Sequence, residues 1–232
     1  YPGPLNADVN SQDYGSISSE DCAEYNTHWA INKSDVESYV TYMDCVNSDD
    51  CDAETVFPEY VIPDVITDWP GSHFDFDGTY EYLAPFIDVN GDGEYNDSDY
   101  PGYDLDAEGD CIENDYLFGD QSIWWVFNDI GNYHGETGGT PIGLEIHAQA
   151  FAFKTTDELS DMTFYSYKTI NRSTETLNET YFGQWVDPDV GNYSDDYVGC
   201  DVDLGLGYCY NGDAEDEGAA GYGFNPPAIG VD

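Results

Sequence analysis

Residues 144–153, Leu-Glu-Ile-His-Ala-Gln-Ala-Phe-Ala-Phe, alternate between two kinds of side chain. One set is aliphatic and consists of Leu144, Ile146, Ala148, Ala150 and Ala152. The other set is polar or aromatic and consists of Glu145, His147, Gln149, Phe151 and Phe153. Successive side chains of a strand point to opposite faces of its sheet, so this period of two predicts a β-strand with two different faces.

The segments on both sides of this stretch favour further strands. Residues 116–128 are strongly apolar, residues 162–170 alternate in the same way, and residues 179–186 combine aromatic and β-branched side chains. Gly, Asn and Asp residues, which are typical of turns, separate these segments. Short strands with such turns predict a mainly β chain that folds as an antiparallel β-sandwich with long calcium-binding loops.

One short helix is expected at residues 34–44. Ser34 and Glu37 have the spacing of a capping box, and apolar side chains follow at helical spacing. The polar residues 1–33 are predicted to form an extended N-terminal arm. Residues 34–115 are expected to be a loop-rich segment with the helix and the first calcium loop. Residues 116–232 would form the β-sandwich core with acidic loops, as one compact unit with the preceding segment.

The charge of the chain excludes several classes of partner. The chain has 49 Asp+Glu against 4 Lys+Arg, a formal net charge of −45. Nucleic acids and anionic lipid surfaces need a basic patch, so neither is an expected partner. Hydrophobic residues make up 40% of the chain and aromatic residues 16%, which argues against disorder. Bound divalent cations, a high-salt medium or both must offset the self-repulsion, unless the acidic residues form a solvated, halophile-like surface.

Residues 88–99 have the spacing of a twelve-residue calcium loop, D-x-[DN]-x-[DN]-G-x5-[DE]. Calcium takes six to eight oxygen ligands, and this spacing wraps oxygens around one point, with Gly93 providing the sharp turn. The expected ligands are the side chains of Asp88, Asn90, Asp92, Asn96 and Asp99 and the backbone carbonyl of Glu94. An Asp/Asn/Gly-rich turn that binds nothing is the alternative interpretation.

A second acidic cluster follows the last predicted strand. It contains Asp187, Asp189, Asn192, Asp195, Asp196 and Asp201. Crowded carboxylates repel one another unless a cation lies between them, so the cluster predicts a second calcium site, with a solvated acidic loop as the alternative. Weaker candidates are the acidic residues of segments 104–110 and 211–216.

The six cysteines indicate an oxidising, extracytoplasmic compartment. None forms a C-x-x-C pair, which argues against zinc, and an even number in Asp/Gly-rich loops favours disulfides. Proximity suggests one of the fifteen connectivities that six cysteines allow, namely Cys45–Cys51, Cys200–Cys209 and Cys22–Cys111. No apolar stretch approaches about 20 residues, so no membrane insertion is expected. The chain lacks an initiating Met and is interpreted as a processed product or as a piece of a longer polypeptide.

The sequence contains no motif of a common catalytic class. It lacks G-x-S-x-G, H-E-x-x-H and the P-loop, and its many carboxylates make any single Asp–Glu pair unspecific. The chain is therefore not expected to be an enzyme. Trp124, Trp125 and Trp185 are candidates for stacking on sugar rings, but core positions are preferred for Trp124 and Trp125.

An ordered series of motifs carries a resemblance to a known group of proteins. The motifs occupy residues 88–99, 119–129, 136–145, 162–173, 181–191 and 195–201. In this order, within residues 18–232, they resemble large secreted proteins of Bacteroidota that are exported by the type IX secretion system. The resemblance implies an extracellular or cell-surface location and a longer parent chain, and it implies no activity.

These observations together predict a calcium-stabilised extracellular structural or adhesive module of a secreted or surface-anchored bacterial protein. A filament or sheath subunit is one form that such a module would take. Ca2+ is the expected cofactor. The expected partners are calcium ions, further copies of the chain or neighbouring domains of a longer chain, and glycans. The alternative function is a carbohydrate-binding or glycan-processing accessory module.

Overall fold

The computed structural model describes residues 1–74, 80–105, 116–131 and 133–232. The chain is mainly β, with 27% strand and 15% helix. It forms two compact units, Tyr1–Thr176 and Leu177–Asp232, which are named unit 1 and unit 2 below. The division between them lies at neither of the predicted boundaries, 33 and 115.

The described residues contain four α-helices and thirteen short strands. The helices are α1 Ser19–Glu24, α2 Lys33–Val46, α3 Ala53–Val56 and α4 Asp64–Thr67, and a 3₁₀ helix covers Glu158–Asp161. The strands of unit 1 are β1 Trp29–Asn32, β2 Ser72–Phe74, β3 Tyr80–Tyr82, β4 Phe86–Ile87, β5 Tyr100–Pro101, β6 Gln121–Asn128, β7 Leu144–Ala152 and β8 Phe164–Asn171. The strands of unit 2 are β9 Asp196–Asp201, β10 Leu206–Asn211, β11 Glu215–Asp216, β12 Gly223–Phe224 and β13 Ala228–Val231.

A four-stranded antiparallel sheet in the order β1-β6-β7-β8 organises unit 1. The strand with the alternating pattern, β7, is central and pairs with β6 and β8. The strands predicted at 144–153 and 162–170 are confirmed, with slightly shifted ends. The apolar stretch 116–128 is a strand only from Gln121 onward.

The more deeply buried side of β7 is its polar side. Glu145, His147 and Gln149 are 0%, 6% and 5% exposed. Leu144 and Ile146 on the aliphatic side are only half-buried. Burying a charged side chain is costly unless it is paired, so the buried position of Glu145 implies a counter-charge.

The apolar core of unit 1 combines sheet residues with helical residues. Trp124 and Val126 of β6 belong to one buried cluster with Val36 and Tyr39 of α2 and Ile66 of α4. Each fully buried side chain of this kind stabilises the fold by about 1.5–3 kcal/mol. The antiparallel β character is confirmed. The described part of unit 1 contains one sheet of more than two strands, so the predicted β-sandwich is not confirmed. The side chains that share the core with this sheet come from helices α2 and α4 and from β4, among others.

The prediction of one short helix is wrong, because α1, α3 and α4 accompany α2. Helix α2 itself is two residues longer at its C-terminus than predicted and begins after Asn32, so Ser34 is not its N-cap. The capping box of the chain lies at α1 instead. There the Ser18 hydroxyl accepts a hydrogen bond from the Asp21 N–H at 3.1 Å, and Asp21 returns the interaction to Ser18.

The prediction of an extended N-terminal arm is also wrong. Strand β1 is an edge strand of the main sheet, and Leu5 is 2% exposed. The Gly3 N–H donates to the Val126 carbonyl at 3.0 Å, and the Leu5 N–H donates to Glu145 at 2.6 Å. The first residues are therefore part of unit 1, because their backbone hydrogen bonds end on β6 and β7.

One of the three predicted disulfides is confirmed, and it joins Cys45 to Cys51. The predicted Cys200–Cys209 bridge is wrong, since both residues are unpaired. Cys200 lies opposite Gly207, two positions from Cys209, and such diagonal neighbours are about 7–8 Å apart, beyond the usual disulfide spacing of about 4.4–6.8 Å. Cys22 forms no disulfide within the described residues, and its predicted partner Cys111 lies outside them.

Unit 2 contains a three-stranded antiparallel sheet in the order β13-β10-β9 and the pair β11-β12. The strand predicted at 179–186 is wrong, because this segment has no regular structure and its aromatic side chains are exposed, Tyr181 by 90% and Trp185 by 83%. Gly183 interrupts the pattern and supplies no side chain to a pleated surface. In the described part of the chain, no helix has both the length and the apolar character that crossing a membrane requires.

Candidate metal centre

A short ladder closes the predicted calcium loop. Strand β4 pairs antiparallel with β5, and Ile87 lies opposite Tyr100. Asp88 and Asp99 are the next residues inward, so the ladder holds the first and last predicted ligands side by side. Gly93 has a left-handed backbone with φ of +81°, which favours glycine and turns the chain between them.

Three carboxylates converge inside this loop. One oxygen each of Asp88, Asp92 and Asp99 lies within 4.8 Å of the others. Within residues 1–74, 80–105, 116–131 and 133–232, this is the group of at least three Asp, Glu, His or Cys side chains that meets this geometry. Asp99 is 1% exposed, whereas Asp92 is exposed. Oxygen donors of this kind suit a hard cation such as Ca2+.

Backbone N–H groups hold the Asp88 carboxylate in place. Its Oδ1 accepts from the Gly91 N–H at 2.6 Å, and its Oδ2 accepts from the Gly93 N–H at 2.9 Å. Partial desolvation raises the pKa of Asp88, but the hydrogen bonds from Gly93, Gly91 and Asp92 outweigh it and keep the pKa below its ordinary value. The geometry therefore favours the ionised carboxylate that a metal ion needs.

The buried Asp99 carboxylate is held in the same way. Its Oδ1 accepts from the Val89 N–H at 2.9 Å, and its Oδ2 accepts from the Asn96 N–H at 3.0 Å. These bonds join the beginning and the end of the loop across its centre. The last predicted ligand thus also organises the backbone that carries the others.

The two Asn side chains face Asp92 with their amide nitrogens. Nδ2 of Asn90 and Nδ2 of Asn96 donate to Asp92 Oδ2 at 2.8 and 3.2 Å, and Asn96 Nδ2 also donates to the Glu94 carbonyl at 3.0 Å. The structure therefore brings all six predicted ligand residues together. The amide oxygens of Asn90 and Asn96 accept from the Asp92 and Ser98 N–H groups at 2.9 and 3.1 Å, so a half-turn of either amide would break these bonds. The three carboxylates and the Glu94 carbonyl are the oxygens that suit Ca2+.

Hydrogen bonds to residues outside the loop attach it to the rest of unit 1. The Tyr39 hydroxyl donates to the Asp97 carbonyl at 2.7 Å, and the Tyr95 hydroxyl donates to the Ile66 carbonyl at 2.6 Å. The Tyr95 N–H donates to Ser72 Oγ at 2.8 Å. These contacts connect the loop to α2, α4 and β2, so ordering of the loop is coupled to the core of unit 1.

The second predicted cluster is spread over unit 2. Asp187 and Asp189 are exposed, and the N–H of Asn192 donates to Asp216 at 3.1 Å. Asp196 and Asp201 begin and end β9, a separation of about 16 Å at roughly 3.3 Å per residue. The cluster therefore cannot surround one ion as a whole, and only part of it is available for a single site.

Asp201 and the weaker candidate metal ligands of segments 104–110 and 211–216 lie in different parts of the structure. Asp201 Oδ1 accepts from the Asp203 and Leu204 N–H groups at 3.1 and 3.2 Å, so it caps the turn between β9 and β10. Asp104 is half-buried, while the other acidic residues of segment 104–110 lie outside the described residues. Segment 211–216 begins at the end of β10, beside the start of β9.

Unit 1 contains a buried ion-pair group that was not predicted from the sequence. The Glu145 carboxylate accepts from His147 Nε2 at 2.8 Å and from Arg172 Nη2 at 3.1 Å, and Arg172 also pairs with Glu81. Desolvation raises the pKa of Glu145, but the hydrogen bonds from His147 and Arg172 outweigh it and keep the pKa below the ordinary 4.5. The scarcity of Lys and Arg in the sequence could have indicated this pair. With so few basic residues in an acidic chain, an Arg that is buried must be paired with a buried acid.

The three Trp residues considered for stacking on sugar rings differ in their exposure to solvent. Trp124 is 2% exposed and belongs to the core, while Trp125 on the opposite face of β6 is half-buried. Trp185 is exposed. Two further exposed rings, those of Tyr165 and Tyr167 on β8, are parallel within 7° and 6.4 Å apart.

Comparison with known proteins does not assign the chain to a family. No protein-family model, no curated protein and no solved structure matches it.

Proposed function

We propose that the chain is a calcium-stabilised structural or adhesive module of a secreted or surface-anchored bacterial protein. The observation that carries this proposal is the convergence of Asp88, Asp92 and Asp99 inside a loop that a strand ladder closes. Three carboxylates at this spacing repel one another, and a divalent cation between them turns that repulsion into attraction. Binding that favours the folded state then adds stability by mass action.

A non-catalytic role is consistent with how the loop is attached. The loop is bonded to α2 through Tyr39 and to the segment around Ile66 through Tyr95, so an ion there would order the core of unit 1. The Cys45–Cys51 disulfide and the resemblance to exported proteins support an extracellular location. In this role calcium would also bridge neighbouring copies or domains whose acidic surfaces otherwise repel.

The experiment is thermal unfolding of the whole chain in millimolar Ca2+ and in excess chelator. Saturation at about 100 times Kd adds about 2.7 kcal/mol, which corresponds to a melting-temperature gain of roughly 5–10 °C for a chain of this size. Asp92→Asn should remove most of the gain that comes from unit 1. The matched control is Asp97→Asn, which changes the same charge in the same loop at an exposed residue and should retain the gain. An identical melting curve of the wild type in both solutions would overturn the proposal.

Glycan binding is the second candidate function, and the parallel rings of Tyr165 and Tyr167 favour it. Both side chains are exposed, by 55% and 56%, on the edge strand β8. Such a pair offers two apolar faces to a saccharide chain. Retention on immobilised polysaccharides should fall in a Tyr165→Ala, Tyr167→Ala double variant and persist in the control Tyr181→Ala. Absence of retention by the wild type on every polysaccharide would remove this candidate.

A further inference from the structure

Unit 2 contains twelve Asp and Glu residues and no Lys, Arg or His. Its acidic residues therefore have no cationic side chain of their own unit to pair with. Backbone N–H groups, hydroxyls, protons, water and dissolved cations are the remaining sources of positive charge. Acidic groups that are buried without such a partner are the places where a cation is needed most.

The pairing of β9 with β10 brings two acidic segments together that are separate in the sequence. Asp196 at the start of β9 lies opposite Asn211 at the end of β10. Residues that are directly opposite in an antiparallel pair share a face of the sheet, so the two side chains are neighbours. The Gly212 N–H donates to the Asp195 carbonyl at 2.9 Å, which extends the pairing by one step and keeps Asp195 at the same end.

Four buried oxygens at this end of the hairpin accept no hydrogen bond from an N–H group or a hydroxyl of the described residues. They are both carboxylate oxygens of Asp195, Oδ1 of Asp196 and Oδ1 of Asn211. The other atoms of these groups are engaged, since Asp196 Oδ2 accepts from the Val190 N–H at 2.8 Å and Asn211 Nδ2 donates to the Asp213 carbonyl at 3.2 Å. Asn211 is 7% exposed, so water has little access to its oxygen.

All four of these atoms are acceptors, so the missing partner must be a proton donor or a cation. An unsatisfied buried acceptor costs about 1–3 kcal/mol, and more when it is charged. The charges of Asp195 and Asp196 amount to the −2 that one divalent ion neutralises.

We propose that this end of the β9–β10 hairpin is a binding site for a hard divalent cation of the Ca2+ class. Its protein ligands are the side-chain oxygens of Asp195, Asp196 and Asn211, with water completing the coordination. Its ligands belong to unit 2, whereas the loop at residues 88–99 belongs to unit 1. The site also narrows the predicted second cluster to two of its residues and adds Asn211 from segment 211–216.

Calcium titration calorimetry of the whole chain tests the proposal. We expect two equivalents of Ca2+ for the wild type, one for Asp92→Asn, one for Asn211→Leu, and none for the double variant. The control Asp203→Asn changes an exposed acidic residue of the same hairpin and should keep two. An unchanged stoichiometry in Asn211→Leu, or complete loss of binding in a folded Asp92→Asn variant, would overturn the proposal.

Hydrogen exchange of the β10 amides gives a second test that does not depend on Asn211→Leu folding well. The Asp195 carboxylate accepts from no backbone N–H, and its side-chain partner is the Glu217 carboxyl group, which bonds to it only when a proton lies between them. Asp195→Asn therefore removes charge without breaking a bond to a fixed donor. In chelator this variant should exchange more slowly than the wild type, because repulsion is relieved. In Ca2+ it should exchange faster, because a ligand is lost. The same sign of change in both solutions would show that the oxygens are satisfied by water or a proton and would refute the site.

Discussion

All four Lys and Arg residues and all four His residues of the chain lie in unit 1, and none lies in unit 2. Each unit nevertheless buries a carboxylate almost completely. Glu145 in unit 1 is 0% exposed and is paired with Arg172, whereas Asp216 in unit 2 is 1% exposed and accepts from the backbone N–H groups of Asn192 and Tyr222. Glu145 is therefore neutralised by a cationic side chain of its own unit, which unit 2 does not contain, whereas Asp216, like Asp99 of unit 1, is held by oriented backbone N–H groups.

Unit 2 also has a much smaller apolar core than unit 1. Unit 1 contains the buried cluster around Trp124, whereas the buried hydrophobic residues of unit 2 are Val190 and Cys209. Large side chains of unit 2, such as Phe182 and Val202, are 75% and 86% exposed. A unit with so little apolar burial has less hydrophobic stabilisation to set against charge repulsion. We therefore expect salt and divalent ions to affect unit 2 more strongly than unit 1.

The largest effect is expected from Arg172→Met. This change keeps much of the aliphatic stem but leaves Glu145 charged and buried beside His147, and breaking a buried ion pair in this way costs about 3–5 kcal/mol. Urea unfolding of unit 1, followed by tryptophan fluorescence, measures the loss. The control Lys154→Met removes an exposed cation and should change the stability by less than about 1 kcal/mol. A loss as small as that of the control would mean that the ion pair contributes no more than a surface pair.

The pH dependence of the stability of unit 1 tests the same ion pair through its acidic partner, Glu145. The pKa of Glu145 lies below its ordinary 4.5 in the folded state, so its contribution is complete above that pH and is lost as the pH falls through the folded pKa. The stability difference between the wild type and Glu145→Gln should therefore shrink from pH 6 to pH 3. The exposed control Glu136→Gln should differ from the wild type by a nearly constant amount. A wild-type advantage over Glu145→Gln that grows on acidification would contradict the assignment.

A smaller effect, confined to unit 2, is expected from Asp216→Asn. Asp216 Oδ1 accepts from the Asn192 N–H at 3.1 Å, and Oδ2 accepts from the Tyr222 N–H at 2.7 Å. An amide has one oxygen, so one of these N–H groups loses its acceptor, at a cost of about 1.5–3 kcal/mol for a bond to a charged group. Amide exchange in β10 should accelerate while exchange in β7 is unchanged, and Asp203→Asn should alter neither. Equal acceleration in both units would contradict their separate stabilisation.

The parts of the fold that local patterns determine were predictable. The spacing of residues 88–99 identified six residues that meet in one loop, because all of them belong to one turn of the chain. The alternation at 144–153 identified β7 for the same reason. Which face of β7 is buried was not predictable, since it depends on Arg172. Glu145 lies opposite Ile170 in the β7–β8 register, so Arg172, two residues further on, reaches it only once that register is known.

The errors in unit 2 have a related physical origin. Residues 179–186 carry a strand-like composition, but a strand needs a partner, and this segment has none among the described strands. Cys200 and Cys209 are close in sequence, yet the register of β9 with β10 places them diagonally. The neighbourhood of Asp196 and Asn211 likewise follows from that register and from no local motif. Sequence patterns therefore predicted single elements better than the pairings between them.

The smallest effect is expected from Ser18→Ala, and it tests how far unit 1 extends. The Ser18 hydroxyl accepts from the Asp21 N–H at the start of α1, and removing such an N-cap costs about 1 kcal/mol. The control Ser19→Ala changes an exposed residue within the helix and should be close to neutral. If the cost of Ser18→Ala appears in the same urea transition as that of Arg172→Met, then residues 1–32 unfold together with the main sheet, as the bond from Leu5 to Glu145 implies. A separate early transition, with the main one unshifted, would show that the N-terminal segment is attached to unit 1 without sharing its cooperativity.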